Sequence, residues 1–241
     1  MSKRGLFILM GESFRTGGHG SRIVGSDDAY HGQMHSAFCI SSFINAMAKK
    51  YEYKMDTYIA TYNTKFNDQL LFAYEQTLIG SDLYDDRIGT KALMENALQK
   101  INDISVYDFV FLLRIDIFIK ADFHSIFNPE WDTIRFASIT SLETAKIGIH
   151  PRVNPMMIYV PKKYYQHIVP HIDISCDSIW ESLITNANLT LEDMDVMIPT
   201  YHNSDSENDF NPLYLIANRP QSDTWLSPDS VFDKLTFGTT N

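Results

Sequence analysis

The stretch YDFVFLLRIDIFIK, residues 107 to 120, constrains the fold more than any other part of the chain. From Phe109 to Leu113 every side chain is apolar, and the run holds two phenylalanines and a valine. Such a run reads as a buried strand, of the kind found in a parallel sheet covered by helices. Arg114 and Asp116 break it at its carboxyl end. Two residues apart on a strand, their side chains fall on the same face. The pair is either a structural Arg–Asp contact at a sheet edge or part of a site for an anion.

The rest of the chain supplies the partners such a strand needs. Leu6 to Met10, LFILM, is a second short apolar run, and it ends at Gly11. A Gly/Ser/Arg-rich loop follows from 11 to 28. Ala37, Ile40, Ile44, Met47 and Tyr51 then recur at spacings of three and four, one face of a helix for which Ser26 or Asp27 is a plausible cap. MDTYIATY, 55 to 62, reads as a strand. Helical patterns are expected over 66–78 and 90–101, and shorter strands over 134–140 and 156–161. Pro161 suits the first turn of a short helix that Pro170 ends. SIWE at 178–181 and TLED at 190–193 look like further helix starts, and the chain is loop-rich from about 199.

No repeat and no linker divides the sequence, so residues 1–241 are expected to form one domain. Strands alternating with helices imply right-handed crossovers and a mostly parallel central sheet flanked by helices, an α/β fold. Ligands of such sheets bind at the carboxyl ends of the strands. Polar residues gather at three of those ends: Gly11 to Arg15, Thr61 to Asn63, and Arg114 to Asp116.

A net charge of -10 argues against a general surface for nucleic acid or anionic membrane, both of them polyanions. It leaves room for a small anionic ligand held by a local cluster of bases. Two cysteines, Cys39 and Cys176, are too few for a disulfide framework or a cysteine zinc site. The apolar run near the N-terminus is too short for a signal peptide, and no stretch approaches the roughly 18 apolar residues of a membrane span. A cytoplasmic protein is the expectation.

Gly11 at the end of a strand lets the backbone approach a ligand closely, and Arg15 adds a bidentate donor that is always charged. GESFRTGGHG lacks both the spacing of a dinucleotide fingerprint and the Lys of a P-loop. Asp116, leaving a buried strand, is placed to hold a divalent cation such as Mn²⁺ or Mg²⁺ against a diphosphate. His202, just before Asp205, Glu207 and Asp209, would supplement one carboxylate on such an ion. His31 and His35 stand four apart on the first long helix but show no third ligand.

In order, a strand ending in GESFR, a helix carrying QMHSAFCISS, TYIATYNTKF, YDFVFLLRIDIFIK and a closing HNSDSENDFNPLYLIANR resemble small GT-A glycosyltransferases. The kind meant is the one that large DNA viruses and bacteria use on surface glycans. The resemblance spans roughly residues 5 to 216. It implies a nucleotide-sugar donor, UDP- or GDP-linked, at the carboxyl ends of a Rossmann-like sheet, and a glycan or glycoprotein acceptor. The family's D-x-D motif places Asp116 on a metal, with His202 as the late histidine, but Arg114 stands where the first acid would be. Metal held by Asp116 and His202, or neutralisation by Arg114 and Arg15 with no metal, both stay open. The resemblance further implies that Gly11, Glu12 and Arg15 line the nucleotide, and that Thr61 and Asn63 meet the base or ribose. An inverting enzyme of this kind would use Asp177 as base, with Glu207 and Asp209 next in line. A sugar nucleotidyltransferase and a non-catalytic carbohydrate-binding or virion-associated domain are the competing readings.

Overall fold

A computed structural model describes residues 2–17, 22–101, 103–138, 146–147, 150–151, 153, 156–168, 179–198 and 214–216. In chain order the elements are β1 (Arg4–Gly11), α1 (Tyr30–Tyr51), β2 (Lys54–Tyr62), α2 (Asn67–Phe72), β3 (Leu78–Tyr84), α3 (Gly89–Lys100) and β4 (Phe109–Arg114). Then come β5 (Ile117–Ile119), α4 (Ala121–Ile126), β6 (Ile134–Phe136), β7 (Lys146–Ile147), β8 (His150–Pro151) and β9 (Met157–Pro161). The last are α5 (Tyr165–Ile168), α6 (Ile179–Ala187), β10 (Met194–Val196) and β11 (Tyr214–Ile216).

Seven strands form one sheet in the order β3-β2-β1-β4-β9-β6-β10. β9 pairs antiparallel with both of its neighbours, β4 and β6, and every other pairing in this sheet is parallel. The mostly parallel α/β sheet expected from the sequence is therefore present, with helices on both faces. Alternation along the central strands sorts the core. Phe7 and Leu9 of β1, with Phe109, Phe111 and Leu113 of β4, pack against α1 and α4. Leu6, Ile8, Met10, Val110 and Leu112 face α3 and α6. Both central strands are buried from end to end, apart from the partly exposed residues Arg4 and Arg114. This explains why they read as apolar runs rather than as alternating patterns.

Two expectations need correction. The helical pattern over 66–78 yields only α2, and the chain then enters an edge strand, β3, beside β2. β3 is mostly half-exposed, so LIGSDLY carries no strand signal strong enough to stop a helix reading. Ser26 and Asp27 precede a 3₁₀ turn, Asp27–Ala29, rather than the long helix, whose N-cap is Ala29.

Strand order reverses between β1 and β4: β2 and β3 extend the sheet on one side, and β4 begins the other. The carboxyl ends of β1 and β4 therefore flank the switch point at which open α/β sheets hold ligands.

Candidate active site

The loop after β1 is built tightly. Gly11 has φ +124°, a conformation open to glycine alone among common residues. Thr61, at the adjoining end of β2, donates its hydroxyl to the Gly11 carbonyl at 2.7 Å and accepts the Ser13 N–H at 3.3 Å. Phe14 is left-handed, φ +51°, an uncommon state for a bulky side chain and one that costs about 1–3 kcal/mol. Its ring is fully buried beside Tyr30 and Phe66, with centroids 6.0 and 4.9 Å away.

A residue that the sequence reading missed ties this loop to the next. Gln33, fully buried in α1, accepts the Phe14 N–H at 3.1 Å and donates to the Ile115 carbonyl at 2.7 Å. The Ser36 hydroxyl lies 3.1 Å from that carbonyl and 2.5 Å from the Ile117 carbonyl, with one proton to share between them. The turn after β1 and the turn after β4 are thus clamped to one helix. A glutamine inside an amphipathic helix carries no local signal of this role.

Charge collects on Glu12. Arg15 lies 3.1 Å from its carboxylate, Arg22 3.7 Å and Arg87 4.0 Å. The three arginines come from the β1 loop, from its return toward α1, and from the segment after β3. Arg15 and Glu12 are nearly buried, whereas the Arg22 and Arg87 side chains are 32% and 52% exposed. Arg87 also donates to the Arg22 carbonyl at 3.1 Å, which joins the two outer segments. The sequence reading named Arg15 and Glu12 but neither of the outer arginines. Nearby, burial pushes the Tyr62 phenol up, and its oxygen accepts the Gly89 N–H at 3.1 Å, tying the end of β2 to the start of α3.

Arg114 and Asp116 do share a face, and they meet. The Arg114 Nε donates to one Asp116 oxygen at 2.7 Å, and Nη2 donates to the other. The carboxylate is 4% exposed and the guanidinium 17%. A D-x-D pair would present two negative charges to a dication; this pair sums to none. Among the described residues no three His, Cys, Asp or Glu side chains are grouped so as to hold a metal ion. Among the described residues, then, the charge that faces Asp116 is that of Arg114.

The other predicted site residues divide. Thr61 is fully buried, and its hydroxyl is used by the turn, so it braces the loop instead of facing base or ribose. Asn63 stands exposed at the rim, donating to Asp85 at 2.9 Å and accepting from the Asn67 amide at 2.9 Å. Asp177, His202, Glu207 and Asp209 lie outside the described residues. His31 and His35 line a pocket of about 590 Å³ between α1 and α2, with Tyr30, Met34, Phe38 and Phe72 as its apolar wall. No described helix is long and apolar enough to cross a membrane.

No family model and no curated protein sequence matches the chain. Solved structures do. A mutant of a Drosophila β1,4-galactosyltransferase 7, in complex with manganese, UDP-Gal and xylobiose, aligns with TM-score 0.47 and 10% identity over 100% of this chain and 77% of that one. The galactosyltransferase LgtC, in complex with donor and acceptor sugar analogues, aligns with TM-score 0.43 and 11% identity over 80% and 72%. A glycosyltransferase involved in glycosylation of the major capsid of PBCV-1 aligns with TM-score 0.39 and 9% identity over 97% and 98%. With each TM-score below one half, the reading of this chain rests on its own sheet order and side chains.

Proposed function

We propose that this chain is a glycosyltransferase, moving a sugar from a nucleotide-sugar donor to a glycan or glycoprotein acceptor. One observation carries the reading: a strained, cross-braced loop rich in guanidinium groups sits at the point where strand order reverses. An anion with a flat base attached suits such a crevice, because fixed donors there meet charge without reorganising. In glycosyl transfer the charge grows on the departing nucleoside diphosphate, and the cationic side chains around Glu12 would stabilise it. Where transfer inverts the sugar's configuration, the attacking acceptor hydroxyl needs a carboxylate base, for which Asp177, Glu207 and Asp209 stay the candidates. A UDP- or GDP-linked donor, a place in viral or bacterial surface-glycan assembly, and a cytoplasmic location belong to the same proposal.

The aromatic pocket beside α1 favours one competing reading. Tyr30, Phe38 and Phe72 would serve a carbohydrate-binding module without catalysis. Incubation with UDP- and GDP-sugars and mixed glycan acceptors, beside a second incubation with sugar phosphates and nucleoside triphosphates, separates the readings. Release of nucleoside diphosphate supports transfer. Release of pyrophosphate from a sugar phosphate and a nucleoside triphosphate supports a nucleotidyltransferase. Glycan binding with neither reaction supports the module.

A further inference from the structure

We infer that the pocket between α1 and α2 holds a neutral oligosaccharide, a part of the acceptor glycan other than its reacting sugar. This rests on the glycosyltransferase reading above.

Two helix faces make the pocket. Tyr30, Met34 and Phe38 recur every four residues along α1, beside its buried stripe, and Asp68, Gln69 and Phe72 of α2 lie across from them. The volume between, about 590 Å³, falls in the ordinary range of small-molecule pockets. Phe38 is 51% exposed and Phe72 66%. Phenyl rings left so far in water add little to the core. Standing on facing elements, they wall one hollow instead.

A sugar ring suits such a wall. Its C–H bonds carry weak positive charge and seat on the negative face of an aromatic ring, while its hydroxyls ask for hydrogen-bond partners. The Asp68 carboxylate and the Gln69 amide supply them, since neither side chain has a hydrogen-bond partner among the described residues. A wholly apolar ligand would strip water from both groups and give nothing back. Asp68 is the carboxylate of the wall, and no Lys or Arg lines the pocket among the described residues. A sialylated or sulfated glycan would bring like charge to Asp68 in a chain of net charge -10, so the ligand assigned is neutral. The pocket also adjoins the crevice. The Tyr30 ring stacks on that of Phe14, in the loop after β1, with centroids 6.0 Å apart. A glycan gripped at one sugar here presents its others to the crevice at a raised effective concentration.

An array of defined neutral, sialylated and sulfated oligosaccharides, probed with the full chain and with Phe38→Ala and Phe72→Ala, tests this. Both side chains are solvent-exposed, and an unchanged melting temperature would show that the variants fold. A neutral oligosaccharide is expected to bind, with saturating UDP or GDP leaving it in place. Each substitution should weaken it by about tenfold, the scale of one lost aromatic contact. In transfer assays each variant should raise the acceptor KM by about tenfold and keep kcat within about twofold, the split expected when uniform binding is removed. Four results overturn the inference and leave the transferase reading standing: no glycan bound, binding confined to anionic glycans, displacement by nucleoside diphosphate, or binding and KM indifferent to both substitutions. A dimer of the chain that either substitution dissociates overturns it too, and gives the pocket to a second copy. Ring-dependent binding of a neutral glycan, with no nucleoside diphosphate released from any donor, overturns the transferase reading and the acceptor role together.

Discussion

Gln33 reaches from α1 to the carbonyl of Ile115, 2.7 Å away, while its oxygen holds the N–H of Phe14 at 3.1 Å. One buried amide thereby fixes the relative position of the turns that follow the two central strands. Gln33→Leu keeps the apolar fit but leaves the Phe14 N–H without its acceptor. A buried orphan of this kind costs about 1–3 kcal/mol. The Ser36 hydroxyl has one proton for two carbonyls, Ile115 at 3.1 Å and Ile117 at 2.5 Å, so it offsets the loss at Ile115 only in part. Urea unfolding should show that loss, and nucleotide affinity should fall with it as Phe14 relaxes from its left-handed state. An unchanged affinity in a destabilised protein would confine Gln33 to a packing role.

Asp116 and Arg114 should behave as one unit. Asp116→Ala leaves a guanidinium in a mostly buried place, and breaking such a pair typically costs about 3–5 kcal/mol. Replacing both, with Arg114→Leu added, removes the mostly buried charge as well. The double variant should therefore be more stable than the sum of the singles allows, and more stable than Asp116→Ala itself. Equilibrium unfolding of the four proteins gives the coupling directly. Additive losses would mean that the contact contributes little.

Gly11→Ala separates backbone strain from crowding. A Cβ at Gly11 would meet only the Ile115 Cγ2, at an ordinary 3.9 Å, so there is space for it. Its φ of +124° is the obstacle, and about 1–3 kcal/mol is the expected penalty. Much of that penalty would be relieved by shifting the loop, which moves Glu12 and its arginines. Nucleotide affinity should then drop further than thermal stability does. Equal affinity in the variant would show that the crevice does not depend on this turn.

The legible parts of this molecule are those where local pattern and tertiary role coincide. β1 and β4 are buried on both faces, so apolar runs announced them, and the charged residues at their ends stood out against those runs. β3 did not announce itself. It lies at the edge of the sheet, and Gly80 faces the Tyr58 ring closely enough that a Cβ would come within 2.9 Å of it. Asp82, buried in the same strand, is answered by Lys100 from α3. β5 pairs with β11 over three residues from a distant part of the chain, which no local signal encodes. In the site, Glu12 and Arg15 were readable because they follow a strand and a glycine. Arg22, Arg87 and Gln33 were not, because their meaning comes only from where separate segments converge. Thr61 was read as a ligand contact for its place at a strand end, yet its hydroxyl is spent on the neighbouring turn.

His124 gives the fold an acid-sensitive point away from the crevice. It sits in the last turn of α4 with its ring edge-on to Phe43, centroids 5.1 Å apart, and Lys50 donates to its carbonyl at 3.3 Å. Burial first, and the Lys50 charge second, hold its pKa below the ordinary 6.5. The folded protein therefore prefers the neutral ring, while the unfolded chain takes up the proton more readily. Where the unfolded state binds more protons, stability rises with pH. The contribution of His124 is complete above the ordinary value and is lost as pH falls from there through the lowered folded value. His124→Phe, which keeps an aromatic edge against Phe43 and cannot titrate, should flatten the dependence of the urea midpoint between about pH 7 and pH 5.5, above the range where most carboxylates titrate. An equal slope in wild type and variant over that interval would assign the acid sensitivity to another group.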